Sequence, residues 1–167
     1  NITYIENNIC DNCSALKEIK VYGANINHDA TSFSIPERAF SNCSAIENLY
    51  IGPKINQIGS FMLSQSKVQN IYVSSSIPPA ASTAAWGLTK TNAQKCTLHV
   101  PVGSIENYKN NTPCKYFNIV EYDVSGVDES LINSDISILV SGNNLIIGNA
   151  SEDTYVEIYN VNGQNVY

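Results

Sequence analysis

Five cysteines and two histidines are the side chains of this chain best suited to bind a metal or to act as nucleophiles. Cys10 and Cys13 are separated by two residues, a spacing that supplies half of a zinc site. A structural zinc site needs a second pair of ligands, and no further close pair of cysteines or histidines follows. The sequence therefore predicts no metal site.

The reactive side chains form no recognisable catalytic motif. His28 and His99 are isolated in the sequence, and a lone histidine is more often a solvated or packed side chain than a catalyst. No cysteine lies in a protease signature, and the chain has no nucleophile elbow, H-E-x-x-H motif, phosphate loop or dinucleotide-binding glycine motif. We therefore predict that the protein is not an enzyme and needs no cofactor.

The odd number of cysteines leaves at least one thiol without a partner inside the chain. If a disulfide forms, Cys96 with Cys114 is the pair in which we expect it. Cys13 and Cys43 occupy the same place in successive repeats, and we interpret them as small buried apolar side chains in the turn after a helical segment.

The repeat that contains these cysteines organises the chain. Residues 10–21 read CDNCSALKEIKV, residues 40–51 read FSNCSAIENLYI, and residues 63–73 read LSQSKVQNIYV. Repetition at this spacing predicts a solenoid, because each unit needs its neighbours to bury its apolar face.

Aligning the repeats predicts a ladder of parallel strands. Ile19, Leu49, Ile71 and Leu98 take equivalent positions, and each is followed two residues later by another apolar residue. Alternate residues of a strand point to the same side, so these positions should stack inward from coil to coil. Upstream, Ile5, Ile35 and Ile58 each lie eight residues before the Cys13, Cys43 and Ser66 positions.

Residues 35–51, IPERAFSNCSAIENLYI, carry a family resemblance. They resemble the BspA-like leucine-rich repeats of bacterial (Bacteroidetes-type) surface proteins, and the similarity covers roughly residues 2–122. Residues 77–122 resemble the closing unit of that family, although Cys114 lies near the place where a tryptophan is usual. In this closing unit Trp86, Tyr108, Tyr116 and Phe117 should cover the open end of the last coil.

The predicted fold is mainly β with short helical or irregular segments. It is a right-handed leucine-rich-repeat solenoid of about four coils over residues 1–122, with its cap at about 77–122. Residues 123–134 are acidic and rich in small side chains, which indicates a linker. Residues 135–167 should form a partial β-sandwich module.

Three strands are expected in this tail, at Ile136–Val140, Leu145–Ile147 and Tyr155–Tyr159, and Asn162-Gly163 is a hairpin signal. The tail is similar to C-terminal sorting domains of type IX secretion, although their Pro-Asn-Pro element is missing. An incomplete sandwich leaves an unpaired strand edge, which is a route to strand pairing between molecules. The sequence does not determine the oligomeric state.

The net charge of −6 and the isoelectric point near 4.7 argue against a nucleic-acid partner. No apolar run is long enough to span a membrane, so we expect no insertion by this chain. The first residues match neither a signal peptide nor an initiator Met, and we expect a trimmed part of a longer precursor.

The outward positions of the predicted ladder form the candidate binding site. Lys20, Tyr50, Tyr72 and His99 should form one column, with the two tyrosines about 5 Å apart. Tyrosine suits recognition, because it combines a rigid apolar ring with a hydroxyl group. Cross-strand packing of neighbouring tyrosines would explain the same pattern without any ligand.

The family resemblance implies non-catalytic recognition on the bacterial cell surface, outside the cell. The expected partner is a host or extracellular-matrix protein bound through the repeat sheet. Two alternatives remain: a glycan-binding accessory protein, and a structural spacer that displays another part of the precursor.

Overall fold

The computed structural model describes residues 7–21, 33–82, 84–124, 136–141 and 144–149. The strands and helices in these ranges are β1 (Glu18–Val21), β2 (Phe33–Ile35), β3 (Asn48–Ile51), β4 (Ile55–Ile58), β5 (Asn70–Val73), β6 (Ala80–Ala81), α1 (Lys90–Lys95), β7 (Thr97–Pro101), α2 (Ile105–Lys109), β8 (Asn118–Tyr122), β9 (Ile136–Ser141) and β10 (Asn144–Asn149). The chain is mainly β, as predicted.

The repeat strands form one seven-stranded sheet in the order β8-β7-β5-β3-β1-β10-β9. Its first five strands are parallel, and the predicted inward positions are in register from Ile19 through Leu49 and Ile71 to Leu98. All four of these side chains are fully buried. The shared hydrophobic spine is therefore confirmed.

A second, three-stranded parallel sheet, β2-β4-β6, brings the upstream isoleucines together. Ile35 pairs with Ile58, and both are buried in the same hydrophobic core as the inward residues of the large sheet. Ile5 lies outside the described residues. The two sheets thus contribute side chains to one shared core.

Hydrogen-bonded turns, rather than helices, lead into the Cys13 and Cys43 positions, which corrects the expected helical segment. The turns of neighbouring coils pair through their backbones, for example Cys10 N–H with the Ala39 oxygen at 2.9 Å. Each turn holds two residues at positive φ, four positions apart: Asn8 and Asn12, Arg38 and Asn42, Phe61 and Gln65. In the part of the chain that is described, helices occur only at α1 and α2.

Aromatic side chains cover the end of the repeat region beyond β7. Trp86, Tyr108 and Phe117 are buried, and the Trp86 and Phe117 rings meet edge to face at 5.4 Å. The Tyr108 hydroxyl donates to the Ser75 carbonyl oxygen at 2.7 Å. Tyr116 was expected to cover this end too, but it is 40% exposed, because its ring lies against the exposed side chains of Lys90 and Lys115 instead.

The cap also contains a strand that the sequence interpretation missed. β8 extends the parallel ladder beyond β7, with Leu98 opposite Ile119. Neither Cys96 nor Cys114 forms the expected disulfide: both are buried free thiols, and burial raises the pKa of each to about 12.

The tail forms a hairpin at the opposite edge of the large sheet, next to β1. Strands β9 and β10 overlap the first two predicted tail strands, and the third, Tyr155–Tyr159, lies outside the described residues. β10 pairs in parallel with β1, with Leu145 opposite Ile19, and β9 pairs antiparallel with β10. The tail hairpin thus belongs to the repeat sheet, while the division into domains at residues 122 and 135 stays a prediction.

Candidate functional site

The outward face of the large sheet carries the predicted column. Lys20 lies opposite Tyr50, Tyr50 opposite Tyr72, and Tyr72 opposite His99. The four side chains are partly exposed, because they alternate with the buried spine residues along each strand. The sequence therefore placed all four residues on one face and in the correct order.

Three rings of this column stack face to face. The Tyr50 and Tyr72 ring centroids are 4.6 Å apart with planes 8° from parallel, and those of Tyr72 and His99 are 4.1 Å apart with planes 10° from parallel. These separations match the spacing of neighbouring strands, so the ring planes stand roughly perpendicular to the sheet and parallel to one another. We call Tyr50, Tyr72 and His99 the aromatic ladder.

Stacking decides which part of each ring a ligand can reach. The Tyr72 ring has a parallel neighbour on each face, and Lys20 Nζ lies 5.2 Å from the centroid of the Tyr50 ring. The faces are thus turned towards neighbouring side chains of the same sheet. What the aromatic ladder presents outward is ring edges and polar groups.

Tyr122 joins this cluster, although the sequence interpretation did not include it. Its ring stands edge-on to the rings of Tyr72 and His99, at 5.6 and 6.1 Å between centroids. Its hydroxyl donates to the Val73 carbonyl oxygen at 3.2 Å, which fixes the ring on the sheet. Alternation within β8 would have indicated an outward Tyr122 if residues 118–122 had been recognised as a strand.

Polar side chains line the ladder on the preceding outward positions. Asn70 Nδ2 donates to Asn48 Oδ1 at 3.1 Å, so the Asn70 oxygen faces His99 Nε2 at 3.2 Å. Because that oxygen can only accept, Nε2 carries the imidazole proton and donates. Partial burial lowers the pKa of His99 below its usual range, so the ring is neutral at pH 7.

Lys20 marks the other end of the column. Its ammonium group lies 2.9 Å from Glu18 Oε1, on the same outward face of β1. The pair is partly exposed, so it contributes little to stability, and its charges remain accessible to solvent. The column therefore begins at the ammonium group of Lys20, continues through the rings of Tyr50 and Tyr72, and ends at the neutral imidazole of His99.

The side chains of this face can make polar and apolar contacts. Its ordered groups are phenol rings, amides, an imidazole and one ion pair, which donate and accept hydrogen bonds. Across residues 7–21, 33–82, 84–124 and the two tail strands, no cluster of His, Cys, Asp or Glu side chains could hold a metal ion. Within the same ranges no helix is long and apolar enough to cross a membrane.

Comparison with known families agrees with the repeat geometry. A family model described as a BspA type leucine rich repeat region (6 copies) matches residues 1–92. No curated protein matches the chain. Leucine-rich repeats are in general non-enzymatic protein-interaction modules, and the BspA type is often associated with surfaces and adhesion. Since the match spans more than half of the 167 residues, the chain belongs to the BspA-type leucine-rich repeat family.

Proposed function

We propose that this protein is a non-catalytic recognition protein of a bacterial cell surface that binds a host or extracellular-matrix protein through the aromatic face of its repeat sheet. The observation that carries the proposal is the aromatic ladder with its border of ordered amides. A flat strip of rigid rings and fixed polar groups loses little conformational entropy on binding, which favours protein contact.

Orientation of the rings favours a protein partner over a glycan. Sugars bind aromatic side chains mainly through the ring face. Both faces of the Tyr72 ring are covered by parallel rings, those of Tyr50 and His99. Ring edges, hydroxyls and amides suit the mixed polar and apolar surface of a protein interface. Glycan binding would have to use hydrogen bonds alone along most of this column.

The ladder also stabilises the sheet, and this contribution has to be separated from binding. Aromatic cross-strand pairs contribute roughly 0.2–1 kcal/mol each to folding. Removing both tyrosines should therefore lower the unfolding free energy only modestly, since the buried spine at Leu49 and Ile71 is unchanged. A folded double variant can thus report on binding.

The test is a double substitution, Tyr50→Ala with Tyr72→Ala. Wild-type protein is first screened against purified extracellular-matrix proteins and, in parallel, against a glycan array. We expect saturable binding to a matrix protein, and at least about a tenfold loss of affinity in the double variant, because aromatic hot spots commonly contribute more than 1 kcal/mol each. Titration by calorimetry measures the loss.

Two control variants sharpen this test. Tyr50→Phe with Tyr72→Phe keeps the stacked rings and removes only the hydroxyls, so it should retain stability and lose part of the affinity. Ile77→Ala changes a side chain that is 71% exposed and lies outside the strands, and it should bind like wild type. Unchanged affinity in the folded Ala double variant would refute the proposal. Glycan-only binding would favour the accessory role, and no saturable ligand in either panel would favour the spacer.

A surface location is part of the same proposal. Family membership supports it, since BspA-type repeats are typically surface-associated. The resemblance of the tail to a sorting domain would supply a route of export, but the family match ends at residue 92 and does not extend to the tail. Placement of this chain outside the cell is tested by surface labelling of intact cells that produce the protein.

A further inference from the structure

Three cysteines come together where the first two coils stack, away from the aromatic ladder. Cys10 and Cys43 are buried at 1% and 0% exposure, whereas Cys13 is only partly buried. All three are free thiols. The cluster therefore combines one accessible sulfur with two buried ones.

Coil stacking brings these residues together. The turns of the two coils pair through their backbones, with Asn12 N–H donating to the Ser41 oxygen at 3.0 Å. Cys13 follows Asn12, and Cys43 follows Asn42, the residue equivalent to Asn12 in the second coil. Cys13 and Cys43 therefore occupy equivalent repeat positions and face each other across one coil spacing. That spacing, about 4.8 Å, lies within the range of about 4.4–6.8 Å between Cα atoms that a disulfide requires.

Sulfur contacts make Cys13 the nucleophilic member. The thiols of Cys10 and Cys43 lie within hydrogen-bonding reach of the Cys13 sulfur, and this lowers the pKa of Cys13 while it raises the pKa of each donor. The Cys43 thiol also reaches the Cys10 carbonyl oxygen at 3.0 Å, and its single proton serves one acceptor at a time.

Asp11 acts on Cys13 in the opposite direction. Its carboxylate raises the pKa of Cys13, although less than the two thiols lower it. The carboxylate accepts hydrogen bonds from Ser41 Oγ at 2.6 Å and Asn42 Nδ2 at 2.8 Å. Both bonds go to Asp11 Oδ1; they lower the pKa of Asp11 and hold this oxygen against the second coil. Because the thiolate is the reactive form of cysteine, the accessible Cys13 should react first.

We propose that Cys13 is a redox-active thiol that forms a disulfide with Cys43 and so joins the first coil covalently to the second. The oxidant is a low-molecular-weight disulfide, RSSR. The Cys13 thiolate, whose proton has passed to water, attacks one sulfur of RSSR, breaks its S–S bond, forms a mixed disulfide and releases RS⁻, which takes up a proton from water. The Cys43 sulfur then attacks Cys13, breaks the mixed disulfide and releases the second RS⁻, which takes up the proton that Cys43 loses. Two protein thiols are oxidised, and RSSR is reduced to two RSH.

Cys43 is the preferred partner over Cys10 for a geometric reason. Cys10 occupies the position that Phe40 and Leu63 hold in the later coils, where the side chain belongs to the core. Cys43 occupies the same repeat position as Cys13, in the turn of the next coil. A bridge from Cys13 to Cys43 also closes a loop of residues 13–43, whereas a bridge to Cys10 would constrain only one turn.

The experiment exposes the folded, reduced protein to oxidised glutathione and follows thiol loss and intact mass over time. We expect a transient glutathione adduct on Cys13, followed by loss of two hydrogen atoms and a peptide link between Cys13 and Cys43. The oxidised protein should show a higher thermal midpoint than the reduced protein, because the bridge restricts the unfolded chain.

Serine variants supply the controls. Cys13→Ser and Cys43→Ser should fold, because Ser66 takes the equivalent position in the third coil and bonds to the Phe40 oxygen at 2.7 Å. Both should lose the link, and Cys43→Ser should keep the glutathione adduct. Cys96→Ser should form the link as wild type does. Cys10→Ser should form the same Cys13–Cys43 link but more slowly, because it removes one of the two thiols that lower the pKa of Cys13. A link between Cys10 and Cys13, one between Cys96 and Cys114, or no link in folded wild type would overturn the proposal.

Discussion

Cys43 and Ser66 each bond to a carbonyl oxygen of the preceding coil, Cys43 to Cys10 and Ser66 to Phe40. Ser66 Oγ also accepts the Cys43 N–H at 3.1 Å. The repeat position that Cys43 and Ser66 share is therefore a hydrogen-bonding position. Interpreting the cysteines at this position only as small apolar side chains was incomplete. Buried backbone groups need partners, and here the side chain of the next coil supplies them.

Replacing Ser66 by alanine tests this role. The side chain is 3% exposed, so its loss leaves the Phe40 oxygen and the Cys43 N–H buried without this partner. We expect the unfolding free energy to fall by about 1–3 kcal/mol. Ser66→Cys is the matched control and should remain within about 1 kcal/mol of wild type, because Cys43 makes the equivalent bond. Urea denaturation measures both, and equal stability of the two variants would contradict the assignment.

Much of the candidate site followed from strand periodicity. A period of two and the repeat alignment placed Lys20, Tyr50, Tyr72 and His99 in one outward column, as the strand register confirms. The upright stacking of the rings did not follow, because rotamers depend on neighbours across strands. Whether this face binds a ligand stays a prediction.

At the scale of elements, the contact between β2 and β4 leaves no room at Gly59. A Cβ atom there would lie 2.5 Å from the Glu37 nitrogen and the Pro36 carbonyl carbon, and both of these are backbone atoms of the preceding coil. The Gly59 N–H donates to the Ile35 oxygen at 2.7 Å, so the two coils cannot move apart without losing that bond. Glycine at this corner therefore sets how closely two coils approach.

Gly59→Ala should lower the unfolding free energy by about 2–3 kcal/mol, towards the upper end of the usual overpacking range. Gly103→Ala is the comparison: its Cβ would meet nothing within 4 Å, but its φ of +82° disfavours alanine. Strain alone should cost about 1 kcal/mol there. Thermal and urea unfolding of both variants give the two values. A loss at Gly59 no larger than that at Gly103 would show that the coils can separate.

Element prediction succeeded where the repeat was regular. The repeat strands β1, β3, β5 and β7 follow from the aligned inward positions. The equal spacing of Ile35 and Ile58 was noted, but the strands β2 and β4 that contain them were not predicted. β8 was assigned to the cap, because residues 117–121 lack the repeat phrase that precedes the other strands. The turns were not anticipated either, since positive φ at residues such as Arg38 and Phe61 is imposed by stacking and not by local preference.

At the scale of the whole molecule, the sheet is extended at both ends by segments outside the repeats. β8 and the buried aromatic rings follow the last repeat strand, and the hairpin β9–β10 lies on the outer edge of β1. Such additions protect the terminal coils, whose strand edges would otherwise be open to pairing with other chains. Pairing of the tail with the first coil could not be predicted from sequence, because no local pattern specifies a contact so distant along the chain.

Ending the chain after Asp123 tests the role of this hairpin. In a parallel strand, alternate residues bond to opposite neighbours. The carbonyls of Lys17 and Val21 accept from N–H groups of the second coil, at 2.8 and 2.7 Å. Odd-numbered residues of β1 therefore face β3, and even-numbered residues face β10. Hydrogen exchange by NMR should quicken at least about tenfold for Glu18 and Lys20, the effect of losing 1.4 kcal/mol of protection. Ile19 and Val21 should change little, and unaltered exchange at Glu18 and Lys20 would show that the hairpin does not protect this edge in solution.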